Sequence, residues 1–277
     1  ITALGADSPE ISSAISALMA GEHQMGIGVV LGSNLFNLAA LLGLSPFLTR
    51  RIALGRAGVV FNGAASLLIT GITALLLLKL VGPALAMVLL VVSFACYVML
   101  VWFEVIHDET EETRRESSSE PKEREPHRRG LVITLLIAGA LLLIVFGSMG
   151  LVRTSVRIAR ALNVPRALAG ALGIAALTGF PNAYTAARLA RSGQGAAVVS
   201  ETLNSNTLNL VFGIGLPTLL LGASPVTTSS LVELGGLLGL TLVATGWAAL
   251  ERGLSRVAGG LIIALYAAFV AVRIGLG

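Results

Sequence analysis

The chain has 277 residues, of which 55% are hydrophobic and 12% are charged, whereas a soluble domain carries about 25% charged residues. This composition excludes a soluble globular enzyme, a disordered chain and a disulfide-stabilised scaffold, and it indicates a polytopic membrane protein. The formal charge of +4 does not indicate nucleic-acid binding, because the basic residues stand in short clusters between apolar runs, where they set membrane topology.

Nine apolar runs are long enough to cross about 30 Å of hydrocarbon as helices of roughly 20 residues. They are residues 1–20, 26–48, 57–79, 82–106, 131–152, 166–190, 196–221, 229–250 and 257–276. The sequence therefore predicts an all-α polytopic membrane protein with about nine visible transmembrane helices. Arg153, Arg157 and Arg160 are spaced to lie on one helical face, so we expect an amphipathic extension of the fifth span. Because Ile1 already lies inside an apolar run, we also expect a further segment to precede it.

A highly charged segment interrupts this pattern at residues 107–130. It contains eight acidic residues and six Lys or Arg residues without apolar periodicity, which predicts a solvated loop and not a domain. The loop divides the chain into two halves, residues 1–106 and 131–277. Thirteen Lys and Arg residues fall on the side of this loop and six on the other, which predicts a cytoplasmic loop. We expect the protein to lie in the plasma (inner) membrane.

The two halves contain an internal repeat with an offset of 172 residues. Residues 3–44 and 175–216 share 11 identical residues in 42 gapless positions. Among the identical pairs are Pro9 with Pro181, Gly21 with Gly193, Ser33 with Ser205, Asn34 with Asn206, and Asn37 with Asn209. Since Asn and Ser are costly in lipid, their agreement indicates a real repeat and not a coincidence of hydrophobic composition.

The repeat copies are predicted to have opposite orientations in the membrane. The first begins in span one and the second in span six, and an odd number of crossings between them inverts the second. Inverted repeats are typical of secondary transporters, whose substrate site lies near the midplane where the repeats meet. Each copy also contains a predicted helix break, at Gly5 and Pro9 in the first and at Gly179 and Pro181 in the second. Such a break is tolerated in a bilayer where the freed carbonyls face a cavity or an ion.

Two acidic residues lie inside the first apolar run. Asp7 and Glu10 are about half a bilayer from the end of the span, and their spacing of three places both carboxylates on one helical face. Each ionised group costs about 2.5–3.5 kcal/mol near the membrane centre. A bound cation or a transported proton would neutralise the pair. The alternative is an ordinary helix start at Ser8, Pro9 and Glu10, with the serine as N-cap.

A second polar cluster follows in each copy. Ser33 and Asn37 are four residues apart, as are Ser205 and Asn209, so each pair shares one helical face. Their hydroxyl and amide oxygens are suitable ligands for Na+ or Ca2+. For the neighbouring Asn34 and Asn206 we favour a role in helix–helix contacts.

The remaining polar residues predict no cofactor and no enzymatic activity. The three histidines are scattered, and the sequence has no catalytic dyad, phosphate-binding glycine loop or nucleotide motif. We expect Glu201 to interact with the dipole of its helix. We expect Glu233, near the end of a span, to reach water.

At these motifs the sequence resembles the cation/Ca2+ exchanger superfamily, specifically its sodium/calcium exchanger branch. The family's repeats read approximately Gly-Thr-Ser-x-Pro-Glu followed by Gly-Ser-Asn-x-Phe-Asn or Asp. The first copy here has Gly-Ala-Asp-Ser-Pro-Glu at 5–10 and Gly-Ser-Asn-Leu-Phe-Asn at 32–37. The second copy has Leu-Thr-Gly-Phe-Pro-Asn at 177–182 and Asn-Ser-Asn-Thr-Leu-Asn at 204–209. The resemblance implies a ten-helix fold whose first helix is missing here, and a secondary active cation antiporter working by alternating access.

The resemblance also implies which residues bind the ions. The family's first glutamate corresponds to Glu10, while its second is replaced by Asn182, and Asp7 stands where a serine is usual. Thr178 and Gly179 occupy the hydroxyl positions of the second copy. The predicted ion-binding set, with Asp7 and Glu10 as the charged ligands of Ca2+ or Na+, is Asp7, Glu10, Ser33, Asn37, Thr178, Asn182, Ser205 and Asn209.

These departures from the family pattern leave the transported ions open. Two acids from one repeat would hold a cation that two glutamates from opposite repeats hold in the family. The leading hypothesis is antiport of the sodium/calcium type, with Na+, Ca2+ or H+ as the transported cations. The first alternative is Na+/H+ or another monovalent cation/proton exchange, in which Asp7 and Glu10 carry the proton. An intramembrane hydrolase is disfavoured because its two acids must meet across different helices, and a non-transporting membrane scaffold is the last alternative.

Overall fold

The structure is a computed structural model that describes residues 2–49, 51–53, 55–115, 127–222 and 227–276. Within these ranges the chain forms nine helical stretches joined by short connections, and three of the stretches contain a π-helical segment. In chain order the elements are α1 (Thr2–Met19), α2 (His23–Asn37) with π-helical Leu38–Gly43 and α3 (Ser45–Thr49), α4 (Arg56–Leu77), α5 (Pro83–Arg115), α6 (His127–Ala161), α7 (Arg166–Leu168) with π-helical Ala169–Ile174 and α8 (Ala175–Arg191), α9 (Gly195–Leu210) with π-helical Val211–Gly215 and α10 (Leu216–Leu221), α11 (Thr228–Glu251) and α12 (Arg256–Leu276).

Every predicted span corresponds to one of these helical stretches, so the all-α membrane fold is confirmed. The helices differ from the prediction at the charged segment, since α5 continues to Arg115 and α6 begins at His127. Glu and Arg are strong helix formers, so a helix can leave the apolar region without ending. Residues 116–126 lie outside the described part of the chain. The amphipathic extension of the fifth span is confirmed, because α6 runs on through Arg160 to Ala161.

Five described helical segments are long and apolar enough to cross a membrane. They are His23–Thr49, Gly58–Leu77, Leu135–Ala161, Thr228–Glu251 and Arg256–Leu276. The stretches that begin at α1, α7 and α9 are not among them. These three contain six of the eight predicted site residues, whereas Ser33 and Asn37 lie in the apolar segment His23–Thr49.

The internal repeat is visible in the backbone. In both copies the turn after a helix contains a glycine with positive φ, +77° at Gly21 and +80° at Gly193, a conformation that glycine adopts without steric cost. The next helix then passes into a π-helical segment, Leu38–Gly43 in the first copy and Val211–Gly215 in the second. The same order of elements at the same offset shows that the repeat extends from the sequence to the backbone.

The predicted helix breaks differ from the structure. Pro9 lies inside α1 and Pro181 lies inside α8, and neither helix stops and restarts there. Proline lacks the N–H that would bond to the carbonyl oxygen four residues earlier. The carbonyl oxygens of Gly5 and Leu177 therefore lack their usual helical donor, although each helix continues.

The two halves approach most closely where α2 meets the segment before α8. A Cβ atom on Gly32 would lie 2.2 Å from the carbonyl oxygen of Ala171, and one on Gly28 would lie 2.7 Å from that of Ala167. This small-residue spacing of four allows the backbones of membrane helices to touch. The contact holds α2, and with it Ser33 and Asn37, against the second repeat.

A short sheet and a buried ion pair hold the last two long helices. Strand β1 (Arg51–Ala53) pairs antiparallel with β2 (Gly253–Ser255), which joins α11 to α12. Between those helices the Arg273 Nη2 atom lies 3.1 Å from Glu233 Oε1, and both side chains are 1% exposed. The expectation that Glu233 reaches water is therefore wrong, because its charge is paired inside the protein.

Candidate cation-binding site

Four helices bring the predicted polar residues to one buried place. Helix α1 contributes two acids, α2 and α9 contribute amides and hydroxyls, and α8 contributes one amide. Asp7 and Glu10 are each 1% exposed, and the polar side chains around them are also buried. The residues joined by side-chain hydrogen bonds are Asp7, Glu10, Asn34, Asn37, Asn182, Ser205 and Asn209.

The Asp7 carboxylate is held by two donors from the second repeat. Asn182 donates from Nδ2 to Asp7 Oδ1 at 3.0 Å, and the Ser205 hydroxyl donates to the same oxygen. Ser205 also accepts a hydrogen bond of 3.1 Å from Asn37 Nδ2. The acid of one repeat is thereby fixed by helices α8 and α9 of the other.

Glu10 accepts hydrogen bonds from three amides. Its Oε1 atom receives one from Asn182 Nδ2 at 3.3 Å and one from Asn37 Nδ2 at 3.5 Å. Its Oε2 atom receives one from Asn209 Nδ2. The single amide of Asn182 therefore bridges both carboxylates, which places the two acids next to each other.

Several buried oxygens at this site have no hydrogen-bond partner among the described residues. They are Asp7 Oδ2, Ser33 Oγ, Asn37 Oδ1, Asn182 Oδ1 and Asn209 Oδ1. A buried acceptor without a partner costs about 1–3 kcal/mol, so five of them in one cluster need an explanation. All five are hard oxygen donors of the type that Na+ and Ca2+ prefer.

Thr178 differs from the other predicted site residues. Its hydroxyl donates to the Ile174 carbonyl oxygen of its own helix at 2.9 Å. It is buried, and its hydroxyl hydrogen is directed to the backbone of its own helical stretch. The sequence does not show this, since a threonine inside a helix can bond its own backbone or turn towards a neighbour.

Asn34 connects the repeats, as expected for a helix–helix contact. It donates from Nδ2 to the backbone oxygen of Asn206 at 3.0 Å, and its Oδ1 accepts from Asn209 at 3.0 Å. The Asn206 side chain has no hydrogen-bond partner in the described part of the chain. Asn206 thus takes part in the contact through its backbone and not through its amide.

The sequence analysis missed one feature of the site, which lies on α8. At Gly179 a Cβ atom would lie 2.7 Å from the Phe36 ring and 3.2 Å from Glu10 Oε1. The glycine at this hydroxyl position therefore makes room for Glu10 and Phe36.

The described residues contain no group of three or more His, Cys, Asp or Glu side chains that could hold a metal ion. A cation at this site would therefore be bound by two carboxylates and by neutral oxygens. Such a mixed set suits an ion that must bind and leave, because fewer charged ligands give weaker binding.

The sequence matches the profile of the family described as sodium/calcium exchanger protein over residues 1–105 and 132–275. The chain belongs to this family. The inner membrane protein YrbG of Escherichia coli (strain K12) is 24% identical over 229 residues, which cover 79% of this chain and 67% of that protein.

Three solved structures have the same fold. Native YfkE aligns with a TM-score of 0.74 and 16% identity, covering 97% of this chain and 80% of that one. The H+/Ca2+ exchanger CAX gives 0.70 and 16%, with coverages of 99% and 75%. The sodium–calcium exchanger NCX_Mj gives 0.64 and 23%, with coverages of 97% and 83%. These structures show the fold, and the family match confirms the resemblance to the cation/Ca2+ exchangers. The chain is therefore an integral membrane cation/Ca2+ antiporter and not an enzyme.

Proposed function

We propose that the protein exchanges Na+ for Ca2+ by alternating access, at a midplane site between the two inverted repeats. The observation that carries this proposal is that five buried oxygens of the repeat motifs have no hydrogen-bond partner among the described residues. They belong to Asp7, Ser33, Asn37, Asn182 and Asn209. In this proposal Asp7 and Glu10 provide the charge, and Ser33, Asn37, Asn182, Ser205 and Asn209 provide neutral oxygens. In this proposal Thr178 lies next to the site and is not a ligand of the ion.

The charge of the site supports a divalent cation. Asp7 and Glu10 together carry a formal charge of −2 when both are ionised, and no Lys or Arg in the described part of the chain forms an ion pair with either. Ca2+ would neutralise the pair in one step. Na+ uses the same kind of oxygen ligands, so the two ions compete for one site, which is the requirement for antiport.

The asparagines explain how one site can exist with and without an ion. Each of Asn37, Asn182 and Asn209 turns its N–H donors to a carboxylate and leaves its carbonyl oxygen unpaired. The two ends of a side-chain amide have similar shape and opposite hydrogen-bonding character. A rotation about the last side-chain bond would therefore replace a donor to the carboxylate by an oxygen ligand to the cation.

The Asn182 bridge also supports a second candidate, cation/proton exchange. Because one amide contacts both Asp7 and Glu10, the carboxylates are close enough to repel each other when both are ionised. A proton on one acid would relieve this repulsion. The structural neighbours include an H+/Ca2+ exchanger as well as a sodium–calcium exchanger, so both coupling ions are known in this fold.

Flux through full-length protein in liposomes distinguishes the two candidates. We expect an imposed Na+ gradient to drive uptake of radiolabelled Ca2+, and a pH gradient of equal size to drive little. Uptake that follows the pH gradient alone would favour proton coupling, and Na+/H+ exchange without any calcium flux would exclude both forms of calcium transport. The Glu10→Gln variant is the inactive control in each arm.

We also propose that residues 1–106 and 131–277 are the two inverted halves and that loop 107–130 is cytoplasmic in the plasma (inner) membrane. The excess of Lys and Arg on the side of the loop supports this orientation. In a Cys96→Ser background, a Ser118→Cys variant should react with an impermeant maleimide only after the membrane is opened. Reaction in intact cells would place the loop outside.

A further inference from the structure

The second repeat has Gly179 and Asn182 at the positions of Asp7 and Glu10, but it contains another acid, Glu201, on the helix that follows. Glu201 lies on α9, four residues before Ser205, so the two side chains share one face of the helix. Ser205 donates its hydroxyl to Asp7. Glu201 is therefore one helical turn from the residue that holds the Asp7 carboxylate.

The position of Glu201 does not fit the helix-dipole role expected from the sequence. Helix α9 begins at Gly195, so Glu201 is beyond the first turn, where the interaction with the dipole has fallen off. It forms no ion pair within the described ranges, although Arg188 and Arg191 end the preceding helix on the same side of the membrane. Its repeat equivalent is Val29, which is fully buried, so the acid is not required by the packing of the repeat.

Glu201 is half-buried, whereas Asp7 is closed off from the surface. Two predicted spans, α6 and the stretch from α7 to α8, separate residues 107–130 from α9. We therefore place the start of α9 on the same side of the membrane as residues 107–130. Glu201 thus lies between that surface and Asp7, whose Oδ2 atom is buried without a partner among the described residues.

We infer that Glu201 captures the transported cation on the loop side of the membrane and passes it to Asp7. The inference rests on the proposed cation exchange and extends it with an intake position from the second repeat. Glu201 provides attraction at the entrance and not a ligand of the fully bound ion. Its removal should therefore weaken ion binding from one side only.

The test is transport by full-length protein in liposomes sorted by orientation. In Glu201→Gln we expect the Ca2+ concentration for half-maximal flux on the loop side to rise about three- to tenfold. The Ca2+ concentration for half-maximal flux on the opposite side should stay near the wild-type value, and so should the maximal rate. Glu251→Gln, which removes a carboxylate at the end of α11 on the same side, is the matched control and should change neither constant.

Charge replacement at the same position gives a second, independent measurement. Cys96 is the single cysteine, so a Glu201→Cys variant in a Cys96→Ser background can be modified selectively. A negatively charged sulfonate thiol reagent should restore the loop-side constant, and a positively charged ammonium reagent of similar size should raise it further. Equal effects of both reagents would assign Glu201 a structural role and overturn the inference.

The outcomes separate this inference from the proposed function. Wild-type protein without cation exchange would refute both. Wild-type exchange with an unchanged loop-side constant in Glu201→Gln, or with equal changes on both sides, would refute the capture role alone.

Discussion

Two regions of the molecule bury carboxylates, and they treat the charge in opposite ways. Between α11 and α12, Glu233 is paired with Arg273 at 3.1 Å. Between α1, α2, α8 and α9, Asp7 and Glu10 receive hydrogen bonds from amides and a hydroxyl and have no cationic partner among the described residues. In the first arrangement the two opposite charges are paired within the protein, whereas the second has no cationic partner in the described ranges and leaves five oxygens unpaired. The comparison fits a structural role for Glu233 and supports our proposal that a mobile cation binds at the Asp7–Glu10 pair.

Replacing Glu10 with glutamine removes half of the unpaired charge and should have the largest effect. A buried, hydrogen-bonded charge contact is worth about 2–5 kcal/mol, so we expect Ca2+ affinity to fall at least about 30-fold. The measurement is calcium binding to purified protein together with flux in liposomes. Normal flux in Glu10→Gln would show that Glu10 is not a ligand.

Replacing Arg273 with methionine should destabilise the protein where α11 packs against α12, because it removes the ion pair with Glu233. The change leaves Glu233 buried without a partner, so we expect a loss of about 3–5 kcal/mol in the free energy of unfolding. The double variant Glu233→Leu with Arg273→Met should recover most of that loss and transport at the wild-type rate per folded molecule. Unfolding in detergent measures the first effect, and a transport defect in the stable double variant would contradict a structural role.

Replacing Asn182 with alanine tests the bridge between the acids. The variant lacks the donor shared by Asp7 and Glu10 and also one unpaired oxygen, and we expect cation affinity to fall about tenfold. Tyr184→Ala, at an exposed position of the same helix, is the control. Equal affinities of the two variants would place the cation away from α8.

The smallest expected effect distinguishes two predicted hydroxyl ligands. Ser33→Ala removes an oxygen without a partner and should weaken cation binding about threefold. Thr178→Val removes a hydroxyl that bonds its own helix and should leave binding unchanged. The reverse order of effects would contradict the assignment of the unpaired oxygens as ligands.

Much of the site could be predicted because its residues are costly in a membrane. Asp7 and Glu10 have no reason to lie in an apolar helix unless a cation or proton neutralises them. Asn37 and Asn209 were found because the repeat preserves them at equal spacing. The fold followed from the same features, since nine apolar runs and one inverted repeat define the helices and their directions.

The remaining features depend on contacts that the sequence pattern does not contain. Glu233 and Arg273 are 40 residues apart, and only the packing of α11 against α12 shows that they pair. The hydroxyl of Thr178 could point to a neighbouring helix or to its own backbone. The structure shows that it donates to the Ile174 carbonyl oxygen of its own helical stretch. Proline predicts a lost hydrogen bond but not a stopped helix, because neighbouring helices can hold Pro9 within a continuous α1.

Crystallographic location of the bound ion tests the central claim most directly. Crystals of the wild-type protein soaked in Ca2+, or in the heavier analogue Sr2+, should show one anomalous peak among Asp7, Glu10, Asn182 and Asn209. For Ca2+ the surrounding oxygens should lie about 2.3–2.6 Å from the ion, with the asparagine carbonyl oxygens turned towards it. A peak elsewhere at a saturating ion concentration, with the amides still donating to both carboxylates, would contradict the account.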